Sequence, residues 1–166
     1  MLQPVVRRTW APQGRTPIHY SWDRHDRLSV ISALTVSPRR RKLRLHFRIH
    51  SNNISNVEVS AFLQAIRRTV GRNLLVIIDR LNAHRTSARR LTERHGSAFL
   101  FEWLPAYAPD LNPVEQIWNR TKYTDLANFL PDDIDHLRRE VSGSLRSTRT
   151  YAHLLHGFFR RAKLDL

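Results

Sequence analysis

Two acidic side chains in this 166-residue chain stand where carboxylates can do chemistry. Asp79 closes the continuous aliphatic run Leu74-Leu75-Val76-Ile77-Ile78, and Glu115 lies three positions after Asn112, with 35 residues between the two acids. Two carboxylates converging on one sheet edge can hold a divalent cation. Mg²⁺ prefers a few carboxylates completed by water and phosphate oxygens, and a metal pair activates an attacking oxygen while stabilising the leaving one. Each acid also has a plainer role. An Asp at a strand end commonly makes a turn, and a Glu three residues beyond an Asn is what a capping box places there. Spacing alone leaves both roles open for both residues.

Other chemistries find less support. The absence of cysteine excludes a thiolate zinc site, a cysteine nucleophile and a disulfide scaffold. Nine histidines show no pairing with an acid at a zincin spacing, no glycine-rich phosphate loop occurs among five glycines, and no serine sits in a G-x-S-x-G elbow. Trp10, Trp22, Trp103 and Trp118 can stack on bases, although an isolated Trp in an α/β domain more often belongs to the core. Charge is the stronger signal. Against 14 acidic residues stand 28 basic ones, 25 of them Arg, for a net charge of +14. Eleven basic residues against only Asp23 and Asp26 fall in the first 50 positions. Such a balance points to a polyanionic partner, nucleic acid ahead of anionic lipid, because no basic amphipathic helix dominates. No apolar run approaches the ~18 residues of a membrane span, and residues 1–10 hold no signal-peptide core, so a soluble, cytoplasmic protein is expected.

The elements that must position the two acids can be read from periodicity. Residues 28–34 and 43–49 read as an antiparallel hairpin with a basic tip, Arg39, Arg40, Arg41 and Lys42, which is either a solvated turn or a phosphate contact. Val59, Phe62, Leu63, Ile66 and Val70 recur at helical spacing behind Ser55 and Asn56. The run 74–78 suits a strand buried on both faces and central in a sheet. An Arg-rich helix over 85–95, carrying Arg85 and Arg89, precedes a strand over 98–104. Asn112-Pro113-Val114-Glu115 then opens a helix with Asn as N-cap and Pro at the first position. Asp132 and Asp133 open another, with Ile134, Leu137, Val141 and Leu145 on one face, and a last helix carries Tyr151, Leu154, Leu155, Phe158 and Phe159. This order predicts an α/β fold with a mixed sheet, its ligand site at the carboxyl ends of the parallel strands, where Asp79 falls.

The words around the two acids carry a family resemblance. Asp79-Arg80-Leu81-Asn82-Ala83-His84-Arg85, and the longer phrase Leu104-Pro105-Ala106-Tyr107-Ala108-Pro109-Asp110-Leu111-Asn112-Pro113-Val114-Glu115-Gln116-Ile117-Trp118, closely resemble the DDE-type transposases of bacterial insertion sequences related to mariner elements. Arg8-Thr9-Trp10-Ala11-Pro12-Gln13-Gly14-Arg15-Thr16-Pro17 is similar to the hairpin that follows the first catalytic strand in that family. The resemblance covers about residues 7–125. It implies a ribonuclease H-like fold whose three acids bind two Mg²⁺ or Mn²⁺ ions and cut and rejoin DNA at element ends. Asp79 corresponds to the second acid and Glu115 to the third. Asn112 is expected mainly as a cap, and His84 as a phosphate contact or a support for the metal ligands. DNA at the insertion-sequence ends and target is the implied partner, with His84, Arg85, Arg89 and the hairpin tip as contacts, in a homodimer or beside a full-length transposase.

The departure from the pattern is as informative as the match. No acid precedes Trp10, so the family's first acid and its central strand have no counterpart here, and Asp23 and Asp26 read as turn residues rather than replacements. The expectation is a truncated catalytic domain over residues 1–130, incomplete by itself, with a helical extension over 131–166. The alternative is a non-catalytic basic remnant that binds DNA and associates with or inhibits a full-length transposase.

Overall fold

A computed structural model of the chain describes residues 7, 8, 10–15, 18, 28–40, 42–164 and 166. Arg41, Asp23, Asp26 and Trp22 lie outside the described residues. Strands β1 (Ser29–Val36) and β2 (Leu43–His50) form an antiparallel hairpin with Ser29 opposite His50 and Val36 opposite Leu43. The Ser37 hydroxyl accepts the Lys42 N–H at 3.0 Å, and Arg40 turns the chain with a left-handed φ of 55°. Helix α1 (Asn56–Val70) follows, closed by Gly71 in the left-handed conformation that frees its N–H to reach the Arg67 carbonyl. Then come β3 (Leu74–Ile78), α2 (Asn82–His95) and β4 (Phe99–Trp103). β3 and β4 run parallel, Leu74 opposite Phe99 and Ile78 opposite Trp103. Helix α2 begins three residues earlier than periodicity suggested, at Asn82, because the turn made by Asp79 starts it.

Helix α3 (Pro113–Arg120) passes directly into a π-helical turn, Thr121–Asp125, and is followed by α4 (Ile134–Thr150) and α5 (Ala152–Arg161). The Asp133 carboxylate caps α4 by accepting the His136 N–H at 2.6 Å, as the acidic pair after Pro131 predicted. Among the described residues, no helix is long and apolar enough to cross a membrane.

Two cores hold these elements. In the first, Ile117 of α3, Val141 and Leu145 of α4, and Leu155 and Phe158 of α5 pack over Leu45 of the hairpin. In the second, Val59 and Leu63 of α1 and Leu91 of α2 cover Phe99, with Leu74, Val76 and Phe101 beneath. Ile31 of β1 packs against this second core, so the hairpin touches both. Across the α1–α2 contact the Ser87 hydroxyl donates to the Asn56 carbonyl at 2.9 Å.

The two strand pairs are separate two-stranded sheets; among the described residues no ladder joins β1 or β2 to β3. The expectation that β3 is covered on both faces is corrected. Leu75 and Ile77 are 61% and 63% exposed and Leu100 beside them 59%, because α1 and α2 cover one face only and nothing among the described residues lies on the other. Trp10 is likewise fully exposed rather than part of a core, whereas Trp118 packs against the first core.

Candidate active site

The parallel pairing of β3 with β4 brings their carboxyl ends side by side. The Leu104 N–H bonds the Ile78 carbonyl at 3.0 Å, so the chain leaving β4 is fastened next to Asp79. Residues 104–111 then lead into α3, whose first turn holds Glu115. Asn112 caps that helix, its side-chain oxygen accepting the Val114 N–H at 3.1 Å, as expected.

Asp79 makes the turn that its position at a strand end suggests, its Oδ1 accepting the Leu81 N–H at 3.1 Å. The same oxygen lies 2.5 Å from Nδ1 of half-buried His84, one turn into α2. An ionised carboxylate only accepts, so the imidazole presents its Nδ1–H to Asp79, and its Nε2 has no hydrogen-bond partner among the described residues. His84 therefore orients a carboxylate directly. The second Asp79 oxygen is uncommitted among the described residues.

Glu115 has a different environment. Its capping-box role is not realised, because the Asn112 N–H that it would accept is already bonded to the Pro109 carbonyl at 2.9 Å. Partial burial pushes the Glu115 carboxyl above its ordinary range and the negative charge of Asp79 pushes it further, while Lys122 opposes the shift. The two acids singled out from the sequence thus feel each other across the end of the sheet. Lys122 was not anticipated, although its place seven residues after Glu115 on a helical path was the available signal.

A basic groove starts at Arg80, the residue after Asp79. Arg80, Arg85 and Arg89 line it with Phe101 and Trp103 as an open depression of about 640 Å³ between α2 and β4; Glu93 is its one acid. Glu93 lies 3.9 Å from Arg89 on the exposed face, a pairing too loose and solvated to neutralise the groove. Arg85 and Arg89 were expected contacts and Trp103 was one of the tryptophans able to stack on bases; Arg80, next to Asp79, was missed, as was Phe101, which alternation along β4 puts on the α2 side with Trp103. Arg39, Arg40 and Lys42 are exposed at the hairpin tip and make no ion pair with the site among the described residues. Two carboxylates offer hard oxygen donors suited to Mg²⁺ or Mn²⁺. Among the described residues, no cluster of three metal-ligating side chains occurs.

Comparison with known proteins places the chain in a family. The family model of the DDE superfamily endonucleases matches residues 1–138. No curated protein matches the chain. Among solved structures, the chain is similar in fold to a chain of the crystal structure of the Mos1 strand transfer complex, with a TM-score of 0.58 at 14% sequence identity. That match covers 98% of this chain and 49% of the other, so the chain spans about half the length of its structural neighbour. With a family model matched over most of its length, around two carboxylates at the end of a parallel strand pair, the chain belongs to the DDE superfamily endonucleases.

Proposed function

We propose that the chain is a portion of a transposase catalytic domain that cleaves and transfers DNA strands with the help of a divalent metal, Asp79 and Glu115 serving as two of its ligands. The observation that carries this reading is the raised Glu115 carboxyl, held by burial and by the charge of Asp79 in a state that a cation would relieve. A bound Mg²⁺ or Mn²⁺ would supply Lewis-acid stabilisation of charge on the phosphate and on the attacking oxygen. The protein's own part is positional. His84 aims one Asp79 oxygen, the Asn112 cap fixes the first turn of α3, and Arg80, Arg85 and Arg89, with the tip residues Arg39 to Lys42, hold DNA phosphates. The cytoplasmic nucleoid is where such a partner lies.

The domain is incomplete by itself in this reading. Among the described residues β1 and β3 each keep one unpaired edge while sharing the second core, which fits a further strand between them carrying a third carboxylate. A homodimer or a full-length transposase is the partner that would supply it. The second reading, a non-catalytic DNA-binding remnant, is favoured by one observation: the Leu81 N–H and His84 already occupy one Asp79 oxygen.

Mn²⁺ titration monitored by electron paramagnetic resonance, with a nicking assay on DNA carrying element ends, separates the readings. The expected outcome is weak Mn²⁺ binding that Asp79→Asn or Glu115→Gln abolishes, with salt-dependent DNA retention and no nicking by the chain alone. Mn²⁺ binding indifferent to both substitutions would sink the metal site and favour the remnant. Nicking by the chain alone would sink its incompleteness.

A further inference from the structure

Tyr107 is fully exposed and makes no hydrogen bond among the described residues. Its φ is 57°, the left-handed region that an aromatic L-residue adopts only at a steric cost. A position of this kind ordinarily goes to glycine or asparagine, and burial does not repay the strain here. Both ends of its loop are fixed. Leu104 is bonded to Ile78 beside Asp79, and on the other side Ala108 and Pro109 accept the N–H groups of Leu111 and Asn112 just before Glu115. Two residues separate Tyr107 from Leu104, so its backbone lies within about 11 Å of Leu104, which is itself bonded to the end of β3. A strained, bare ring is therefore held on the loop that runs from the end of β4 to the helix of Glu115, four positions after Trp103, which lines the groove with Arg80, Arg85 and Arg89.

From this juxtaposition we infer that Tyr107 is a base-stacking residue, taking the face of one unstacked base from a nucleic-acid strand whose phosphates lie on the arginines. The inference rests on the DNA-binding part of the proposed function and adds a subsite to it. The charge of that groove favours nucleic acid over a protein partner, because three of its four charged groups are guanidinium. Stacking also explains the tolerance of strain: every base offers a π-face, and a ring held away from the protein stays open to it.

The test uses the purified chain and a short single-stranded oligonucleotide with 2-aminopurine at successive positions, read by fluorescence at low salt. The wild type quenches the probe at one position. Tyr107→Gly and Tyr107→Ala lose the quenching and bind about tenfold more weakly, whereas Tyr107→Phe and Tyr107→Trp keep both. Because glycine relaxes the left-handed backbone, Tyr107→Gly leaves Tm unchanged or raises it. Unchanged affinity and quenching in Tyr107→Gly would overturn the inference, as would a fall in Tm that marks the ring as structural. Failure of the wild type to retain the oligonucleotide at all would sink the DNA-binding reading and the stacking residue with it.

Discussion

Helices α1 and α3 start from the same pattern, a capping residue followed three positions later by Glu, and use that Glu in opposite ways. At α1 the Glu58 carboxylate accepts the Ser55 N–H at 2.8 Å and the Ser55 hydroxyl as well, and these bonds hold its carboxyl below the ordinary range. At α3 the corresponding donor, the Asn112 N–H, is consumed by the 3-10 turn Pro109–Leu111, and Glu115 is left facing Asp79 with its carboxyl raised. One helix start is satisfied locally and ends there. The other withholds a hydrogen bond from its own acid, which leaves that acid available to something from outside. A single preceding turn makes the difference between a carboxylate committed to its own helix and one left open.

The largest effect that tests the contrast comes from removing the caps. Ser55→Ala and Asn112→Ala should each cost about 1 kcal/mol in urea unfolding. Only Asn112→Ala should also weaken Mn²⁺ binding, since only there does the cap position a free acid. Equal loss of Mn²⁺ binding in the two variants would erase the distinction.

A smaller effect lies in pH dependence, with opposite signs. The lowered Glu58 carboxyl contributes stability that is complete above its ordinary value of 4.5 and is lost as pH falls below it. The raised Glu115 carboxyl does the reverse: it detracts from stability at neutral pH, and the loss is relieved as pH falls from its raised value toward 4.5. Unfolding curves of Glu58→Gln and Glu115→Gln, each subtracted from the wild type, should therefore slope in opposite directions in acid. Slopes of the same sign would show that Glu115 is not held as described.

The smallest effect is the response of those slopes to metal. Millimolar Mg²⁺ or Mn²⁺ should flatten the slope assigned to Glu115 and leave that of Glu58 as it was, because only the former has a second carboxylate beside it. A metal-insensitive Glu115 slope would return that residue to the status of an ordinary surface acid.

Much of this was legible in the chain itself. Ser55, Asn112 and Asp133 announce their helices because short polar side chains satisfy orphan N–H groups one or two residues before apolar periodicity begins. The hairpin followed from the alternation of Leu43, Leu45, Phe47 and Ile49. What stayed hidden depends on neighbours distant in sequence. The exposure of Leu75 and Ile77 reflects what covers a sheet face, which an aliphatic run does not encode. The choice between box and free acid at Glu115 depended on a hydrogen bond made three residues before the cap. The proximity of Asp79 and Glu115 was readable only through a family pattern, since 35 intervening residues carry no local sign of where the chain returns.

The π-helical turn at Thr121–Asp125 sets a rule for lengths rather than for side chains. The Leu126 N–H reaches back five residues to the Thr121 carbonyl at 2.9 Å, so this segment holds one residue more than an α-helix would. Its register is locked from the side: buried Thr121 meets the Ser144 hydroxyl at 3.1 Å, and Ser144 donates to Asp125 at 2.7 Å. Deleting one residue here would give a smoother helix and rotate everything after it by about 100°. Among sequences of this ancestry, substitutions should therefore accumulate through residues 121–125 while single-residue gaps do not, and that asymmetry would date the extra residue to before they diverged.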